Sequence, residues 1–196
     1  MNPHRGPLRC LVILAAVWLW GAINPLYRDL WFCENLLVLA VLIAILATYR
    51  RFRFSTLSYA LITAFLVLHL IGAHFGYNEV PPFDRYEQWG WTRNPYDRIV
   101  HFSFGFLVVW PFRESLLRLA RTGPRWSNAL SLATVMACSA LYELFEWGFV
   151  VLMYPGMGPM FLGAQGDPWD AHADMALAAL GGTLALIGAS RFVRSQ

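Results

Sequence analysis

Three pairs of acidic or imidazole side chains stand at spacings that place both members on one face of a helix. The pairs are Asp97 with His101, Glu143 with Glu146, and Asp170 with Asp174. Side chains three or four residues apart are neighbours on a helical surface. Carboxylates and imidazoles serve in general acid–base catalysis and bind divalent cations. The pairs therefore mark a candidate site.

The central pair lies in an unusual setting. Glu143 and Glu146 interrupt a run from Trp126 to Met153 that is otherwise apolar or small. A charge at membrane depth costs about 3 kcal/mol or more unless it is paired or coordinated, and ionisable groups retained there usually mark a functional site. We therefore expect partners for both carboxylates on neighbouring helices.

Composition indicates an integral membrane protein. Of the 196 residues, 58% are hydrophobic, and the mean hydropathy is +0.46. The net charge of +3 does not indicate nucleic-acid binding, because the arginines stand at the ends of apolar runs and form no basic stripe. The cysteines Cys10, Cys33 and Cys138 have no short-range pairing and are interpreted as packing residues.

Six apolar runs supply the elements that must position the three pairs. They cover residues of about 10–23, 30–48, 55–74, 97–113, 126–153 and 170–190. Most are near the ~20 residues that a helix needs to cross the hydrocarbon core. The first run could be a cleavable signal peptide, but it lacks a small-x-small cleavage site and is interpreted as an uncleaved helix. The sequence thus predicts an all-α bundle of six transmembrane helices in a single integral membrane domain, residues 1–196.

Arginines predict the orientation of this bundle. One set of helix ends carries eleven of them: Arg5, Arg9, Arg50, Arg51, Arg53, Arg113, Arg118, Arg121, Arg125, Arg191 and Arg194. The opposite set carries four: Arg28, Arg85, Arg93 and Arg98. Cytoplasmic loops are enriched in positive charge, so both termini are predicted to be cytoplasmic.

On this topology, acidic and imidazole groups accumulate on the outer side. Eleven of the twelve acidic residues, all but Glu114, lie on that side, as do four of the five histidines. The loops on that side, residues 75–96 and 154–169, are long enough to act as lids or binding loops. The aromatic residues of the first loop could equally form an interfacial belt.

Depth along the helices indicates that the pairs can meet. His101 and Asp174 lie about one turn inside their spans and Glu146 about two turns, so all three could lie within roughly one turn of the same level. We interpret the cluster as a metal site, with His101, Glu143, Glu146, Asp170 and Asp174 as ligands to a divalent ion such as Zn, Mn or Mg. An ion-pair network with Arg85, Arg93 or Arg98 is the alternative.

Other polar residues receive structural interpretations. His69 is a packing residue or an outer ligand, and Glu34 is snorkelling or solvated. Asp84 and Asp167 stand beside prolines, where aspartate commonly forms turns. Four glycines are expected at close helix contacts: Gly105, Gly148, Gly181 and Gly182.

Four stretches carry a resemblance to a known family. They are residues 81–85 (PPFDR), 96–102 (YDRIVHF), 142–147 (YELFEW) and 166–170 (GDPWD), the last followed by Asp174-Met175. In this order they resemble the YjdF-like family of bacterial inner-membrane proteins, from about the second span onward. The resemblance implies a multi-pass protein of the bacterial inner membrane.

A looser similarity is to VanZ-like proteins, which are associated with glycopeptide-antibiotic resistance. Six residues match that family's pattern: Asp97, His101, Phe102, Glu143, Asp174 and Gly181. Arg98 stands where the pattern has a lysine. Glu146 replaces a glutamine and Ala178 an asparagine, which makes this chain more acidic at the shared positions.

Three functional hypotheses follow. The first is a metal-dependent hydrolase or transferase acting on a lipid or lipid-linked envelope substrate, with a site facing the periplasm or outer leaflet. In it, His101, Glu143 and Glu146 are catalytic, while Arg93 and Arg98 bind a phosphate. The second is a small proton- or cation-coupled carrier, which is disfavoured by the lack of an internal repeat. The third is a non-catalytic membrane assembly factor.

Overall fold

The computed structural model describes residues 5–154 and 164–194, of which 189–194 are described as backbone only, and the described chain is built from helices. Six α-helices span Arg5–Ala22 (α1), Arg28–Thr48 (α2), Thr56–Phe75 (α3), Tyr96–Arg118 (α4), Pro124–Met153 (α5) and Asp170–Arg194 (α6). Short 3₁₀ helices at Phe83–Trp89 and Ala164–Gly166 lie in the two long loops. The predicted all-α fold class is confirmed. Most of the second loop, residues 155–163, lies outside the described chain.

Local signals set several of the helix ends. The Ser55 side chain accepts a hydrogen bond from the Ser58 N–H and so satisfies one free donor at the start of α3. Gly76 ends α3 in the left-handed conformation, with φ of 64°. Gly123 precedes α5, whose first residue is Pro124, where the missing N–H has no consequence.

Most of the helices suit a bilayer. Among the described residues, α1, α2, α3, α5 and residues Asp170–Gly188 of α6 are long and apolar enough to cross a membrane. Many large apolar side chains on α1, α2 and α5 are exposed, including Leu19, Leu46 and Leu152. Soluble proteins rarely expose such continuous apolar surface, whereas lipid covers it.

Helix α4 is the exception to the hydropathy pattern. It carries Asp97, Arg98 and His101 near its start, and Arg113 and Glu114 near its end. It is nevertheless the most central helix, packing against α3, α5 and α6. The six-span count and the cytoplasmic placement of the termini remain predictions.

The closest helix crossing brings α4 against α6. A Cβ built on Gly105 would lie 1.8 Å from the carbonyl oxygen of Ala178, and one on Gly181 would lie 2.2 Å from that of Phe102. Only glycine fits at either position, so the close packing predicted for Gly105 and Gly181 is confirmed. The same prediction for Gly148 is wrong, because no atom of the described chain lies within 4 Å of a Cβ there.

Candidate functional site

A buried asparagine positions the start of α4. The Asn94 side chain accepts a hydrogen bond from the Tyr96 N–H (2.9 Å) and donates one to the Asn78 carbonyl (2.8 Å). Its own backbone N–H donates to the Gln165 side chain at 2.6 Å, and Gln165 donates back to the Asn94 carbonyl. Asn94 is fully buried. These bonds tie the two long loops together above the starts of α4 and α6.

A turn at Asp167 positions the start of α6. Its carboxylate accepts a hydrogen bond from the Trp169 N–H at 2.9 Å, and its carbonyl accepts one from the Asp170 N–H at 3.2 Å. The Trp169 N–H and the guanidinium of Arg98 hold the pKa of the Asp167 carboxyl below its ordinary value. The turn-forming role predicted for Asp167 matches this geometry.

The first two turns of α4 and α6 bring an acid–imidazole triad together. Asp97, His101 and Asp174 each offer one ligand atom, and these atoms all lie within 4.8 Å of one another. His101 is 8% exposed and Asp174 2% exposed. Their close approach follows from the glycine contact between the helices, since Asp97, His101 and Gly105 share one face of α4. The triad is therefore built from two rigid elements rather than from loops.

Helix α5 contributes a third carboxylate. Glu143 Oε1 lies 3.7 Å from His101 Nε2, and Asp97 Oδ1 lies 3.6 Å from the same nitrogen. Glu143 Oε1 and Asp174 Oδ1 are buried atoms with no hydrogen-bond partner within the described chain. A buried polar atom left unsatisfied costs about 1–3 kcal/mol, and more if it is charged. The geometry thus brings three acids and an imidazole together in one buried region. Two of the carboxylate oxygens there accept no hydrogen bond within the described chain.

This donor set fits a divalent cation. Several carboxylates crowded in a low-dielectric site require protons or cations to stay close together. Carboxylate and imidazole ligands suit Zn, Mn, Mg or Fe, whereas the thiolates of a closed structural zinc site are not involved. Asp97, His101, Asp174 and Glu143 are the residues that could hold such an ion.

Glu146 lies at the edge of this group. Its carboxyl group interacts with that of Glu143, one turn away on α5, and electrostatically with Glu34, Asp97 and Asp174. It is half-buried and is not one of the three residues whose ligand atoms converge. Its position suits handling a proton beside the site better than holding an ion.

The two arginines proposed to bind phosphate are paired with acids. Arg93 Nη1 lies 2.5 Å from Asp170 Oδ1 and 3.6 Å from Asp167 Oδ2, while Arg98 Nη2 lies 2.5 Å from Asp167 Oδ2. Three of their buried donor atoms, Arg93 Nε and Nη2 and Arg98 Nε, have no hydrogen-bond partner within the described chain. Each arginine therefore retains donor capacity for an anion.

The sequence-based ligand set is only partly brought together. His101, Glu143 and Asp174 converge, whereas Asp170 instead pairs with Arg93 and Glu146 lies to one side. The sequence predicts Asp97 as the partner of His101 on α4 and not as a ligand, but its carboxylate is one of the three groups that converge. The structure also contains part of the alternative ion-pair network, formed by Arg93 and Arg98 with the acids at the start of α6. The roles of these residues remain predictions.

A second polar cluster lies beside the triad and was missed from the sequence. Tyr142 on α5 donates a hydrogen bond to the Glu34 carboxylate on α2. The His69 ring on α3 contacts the Glu34 carbonyl through Nε2 at 3.0 Å and the Tyr77 hydroxyl through Nδ1 at 2.6 Å. No local pattern predicts a bond between residues 108 positions apart.

The ring nitrogens of His69 have opposite roles in this cluster. A carbonyl can only accept, so Nε2 carries the proton and donates to Glu34. Burial raises the pKa of Tyr77 well above its ordinary value, so the phenol keeps its proton and donates to Nδ1. His69 is 1% exposed and fully satisfied, which agrees with the packing interpretation. Glu34 is bonded and mostly buried rather than solvated.

The comparisons with known proteins agree with the motif-based resemblance. Residues 7–195 match the family described as Predicted membrane protein (DUF2238). The "Inner membrane protein YjdF" of Escherichia coli (strain K12) is 34% identical over 181 residues, which cover 91% of this chain and 86% of that protein. No solved structure matches the chain. These matches confirm the resemblance to the YjdF-like family.

Proposed function

Since this chain belongs to the Predicted membrane protein (DUF2238) family, we propose that it is a metal-dependent hydrolase or transferase of the bacterial inner membrane. Its substrate is a lipid or lipid-linked envelope molecule, reached from the periplasm or outer leaflet. The inner-membrane location is supported by the similarity to the Escherichia coli protein whose name states it. The helices of the chain contact membrane lipids.

One observation carries the proposal: the convergence of Asp97, His101 and Asp174 within 4.8 Å, with one buried Asp174 oxygen unpaired. An arrangement made only to join helices would be expected to pair its buried acids with basic groups. The arginines nearby are instead engaged with Asp167 and Asp170. The carboxylates of the triad are thus costly to remove from water, and one Asp174 oxygen accepts no hydrogen bond within the described chain. Both features are expected of a cation site.

Asp97, His101 and Asp174 would hold a divalent ion. When bound, the ion would supply Lewis acidity, polarising a phosphoryl or carbonyl oxygen or activating water. Glu143, whose Oε1 lies 3.7 Å from His101 Nε2, would take a proton from the attacking group as a general base. Glu146 would receive that proton in turn through its contact with Glu143.

Arg93 and Arg98 would orient an anionic headgroup. Both lie at the outer end of the site, fixed by Asp167 and Asp170, and both keep free N–H donors. Guanidinium groups bind phosphate oxygens through charge-assisted hydrogen bonds. Pairing with acids holds the side chains in place without using all their donors, which favours a preorganised anion site.

Phosphate release from defined lipids tests the proposal. We expect purified protein in detergent to release phosphate from a polyprenyl phosphate, or to transfer that phosphate to an alcohol, only with a divalent ion present. Glu143→Gln should lower the rate by about 10²–10⁴-fold, the usual contribution of a general base. Glu87→Gln, on the exposed side of the 3₁₀ helix, is the matched control. Equal rates in the wild type and Glu143→Gln would exclude the proposed base.

A carrier is the second candidate, and one observation favours it. The Glu146 carboxyl on α5 interacts electrostatically with Glu34 on α2 and with Asp174 on α6. Such chains of acids occur in proton-coupled transporters. Uptake into proteoliposomes driven by an imposed pH gradient, and lost in Glu146→Gln, would favour the carrier over the enzyme.

A further inference from the structure

An elongated apolar cavity of about 390 Å³ lies beside the acid–imidazole site. It is lined mainly by α2, α3, α4 and α5, together with the turn that joins α2 to α3. The proposed chemistry uses none of this space. We call it the inter-helix groove.

The groove has one polar end. His69, His101 and Tyr142 line it at the level of the triad, and His101 belongs to both the groove and the triad. Towards the opposite end its walls are mostly aliphatic and aromatic, including Val41, Phe65 and Val108, and the hydroxyl residues Thr48 and Ser115 also line it. A molecule filling it would place its polar end at His101 and an apolar body along α4.

The groove is long and narrow. Its lining runs along α4 from Val100 to Ser115 and continues to Leu119, just past the end of the helix, which is roughly 28 Å at 1.5 Å per residue. A volume of about 390 Å³ spread over that length leaves a cross-section of the order of one hydrocarbon chain. Its length approaches the full hydrocarbon thickness of a bilayer, about 30 Å.

The flank between α2 and α5 gives access from the bilayer. Helix α2 packs against α3, and α5 packs against α4 and α6, with little direct packing between α2 and α5 in the described chain. Two hydrogen bonds join them near the outer end, from Tyr142 to Glu34 and from Tyr154, at the end of α5, to Asp29. Apolar residues of both helices are exposed on their outer faces, so lipid is what surrounds this flank.

We propose that the inter-helix groove holds the hydrocarbon chain of a polyprenyl phosphate. This inference rests on the proposed function and names its substrate class. A single chain longer than one leaflet suits a groove of this length, whereas each of the two chains of a diacyl phospholipid reaches only to mid-bilayer. The phosphate at the head of the chain has the opposite charge to Arg93 and Arg98, and it would be a ligand for a cation held by the triad.

Photocrosslinking tests the groove. The probe is a polyprenyl phosphate with a diazirine near the end of its chain, added to full-length protein in lipid nanodiscs and mapped by peptide mass spectrometry. We expect labels at the end of the groove remote from His101, at residues such as Thr48, Phe52 and Leu119. Ala44→Phe, which fills the groove from α2, should lower labelling about tenfold, equivalent to about 1.4 kcal/mol.

Two controls keep the test specific. Ala47→Phe adds the same ring to an exposed position of α2 that does not line the groove, and it should label like the wild type. A phosphatidic acid with the same diazirine at a chain end should not reach the remote end. Labels confined to outward-facing residues, unchanged by Ala44→Phe, or equal labelling by the phosphatidic acid would overturn the inference.

Failure of the groove and failure of the proposed function give different results. If the groove is labelled as expected but the protein binds no divalent ion and releases no phosphate, the hydrocarbon-chain site is supported and the proposed enzymatic function is excluded. Metal-dependent phosphate release without groove labelling would support the enzyme and overturn the chain site. Ala44→Phe and Ala47→Phe are compared only as monodisperse protein with the metal content of the wild type. Loss of labelling in Ala44→Phe then cannot reflect misfolding.

Discussion

The backbone of Gly105 on α4 contacts the backbone of Ala178 on α6, one helical turn below the candidate site. His101 precedes Gly105 by four residues and Asp174 precedes Ala178 by four, and both helices begin at the same end of the bundle. The contact therefore holds the imidazole and the carboxylate at the same level. A Cβ at position 105 would lie 1.8 Å from the Ala178 carbonyl oxygen, so the helices would have to separate to admit it.

The first prediction concerns this contact. Gly105→Ala should destabilise the protein by about 1–3 kcal/mol or more, the usual cost of overpacking, and should weaken metal binding with it. Gly148→Ala is the matched control, because its Cβ would meet no atom of the described chain and alanine favours the helix by up to about 1 kcal/mol. Thermal unfolding in detergent measures both. Equal melting temperatures for the two variants would contradict the close crossing.

The second prediction separates Asp170 from the triad. Asp170→Asn leaves the mostly buried Arg93 guanidinium without its nearest acid, and breaking such a pair from one side typically costs about 3–5 kcal/mol. Metal content should be retained, because Asp170 pairs with Arg93 rather than joining the triad. Metal analysis and unfolding of the same sample check both parts. If Asp170→Asn loses the metal while its stability is unchanged, Asp170 is a metal ligand and the prediction is wrong.

The third prediction is a pH dependence at the start of α6. The folded pKa of Asp167 is lowered from its ordinary value of 3.8, so its ionised form stabilises the folded state. That stabilisation is fully present above the unfolded pKa and is lost as the pH falls through the folded pKa. The difference in melting temperature between wild type and Asp167→Asn should stay constant from about pH 7 to about pH 5 and shrink below about pH 4. A difference that persists at the acid end would contradict the Arg98 and Trp169 contacts.

The fourth prediction is the orientation. In a chain without Cys10, Cys33 and Cys138, a membrane-impermeant maleimide should label Trp91→Cys in intact spheroplasts and Arg51→Cys only after lysis. Both residues are exposed in the structure, and the positive-inside rule places them on opposite sides. The reverse pattern would turn the candidate site towards the cytoplasm.

Much of the fold follows from sequence because its determinants are local. The apolar runs predict the helices, and Gly76, Gly123 and Pro124 mark ends where the helices stop or start. The pairs Asp97 with His101 and Asp170 with Asp174 follow from helical spacing alone. Helical spacing does not reveal which acid of the second pair faces the imidazole, since that depends on the rotation of α6 set by Gly181.

What the sequence did not predict depends on distant contacts. The bond from Tyr142 to Glu34 joins α5 to α2, and the Asn94–Gln165 bonds join the two long loops. Glu34 stands near the end of an apolar run, where a solvated side chain is the ordinary expectation. Only the packing of α2 beside α3 turns it inward, beneath His69.

Equilibrium metal binding by purified protein tests the central claim most directly. After dialysis against Zn²⁺, Mn²⁺ or Mg²⁺, we expect about one ion per chain with at least one of these metals, as for a mononuclear site. Asp174→Asn and His101→Ala should lose most of it, while the exposed Asp84→Asn and His172→Ala controls should retain it. A folded wild type that binds none of the three ions, or an Asp174→Asn variant that binds as much as the wild type, would contradict the metal site.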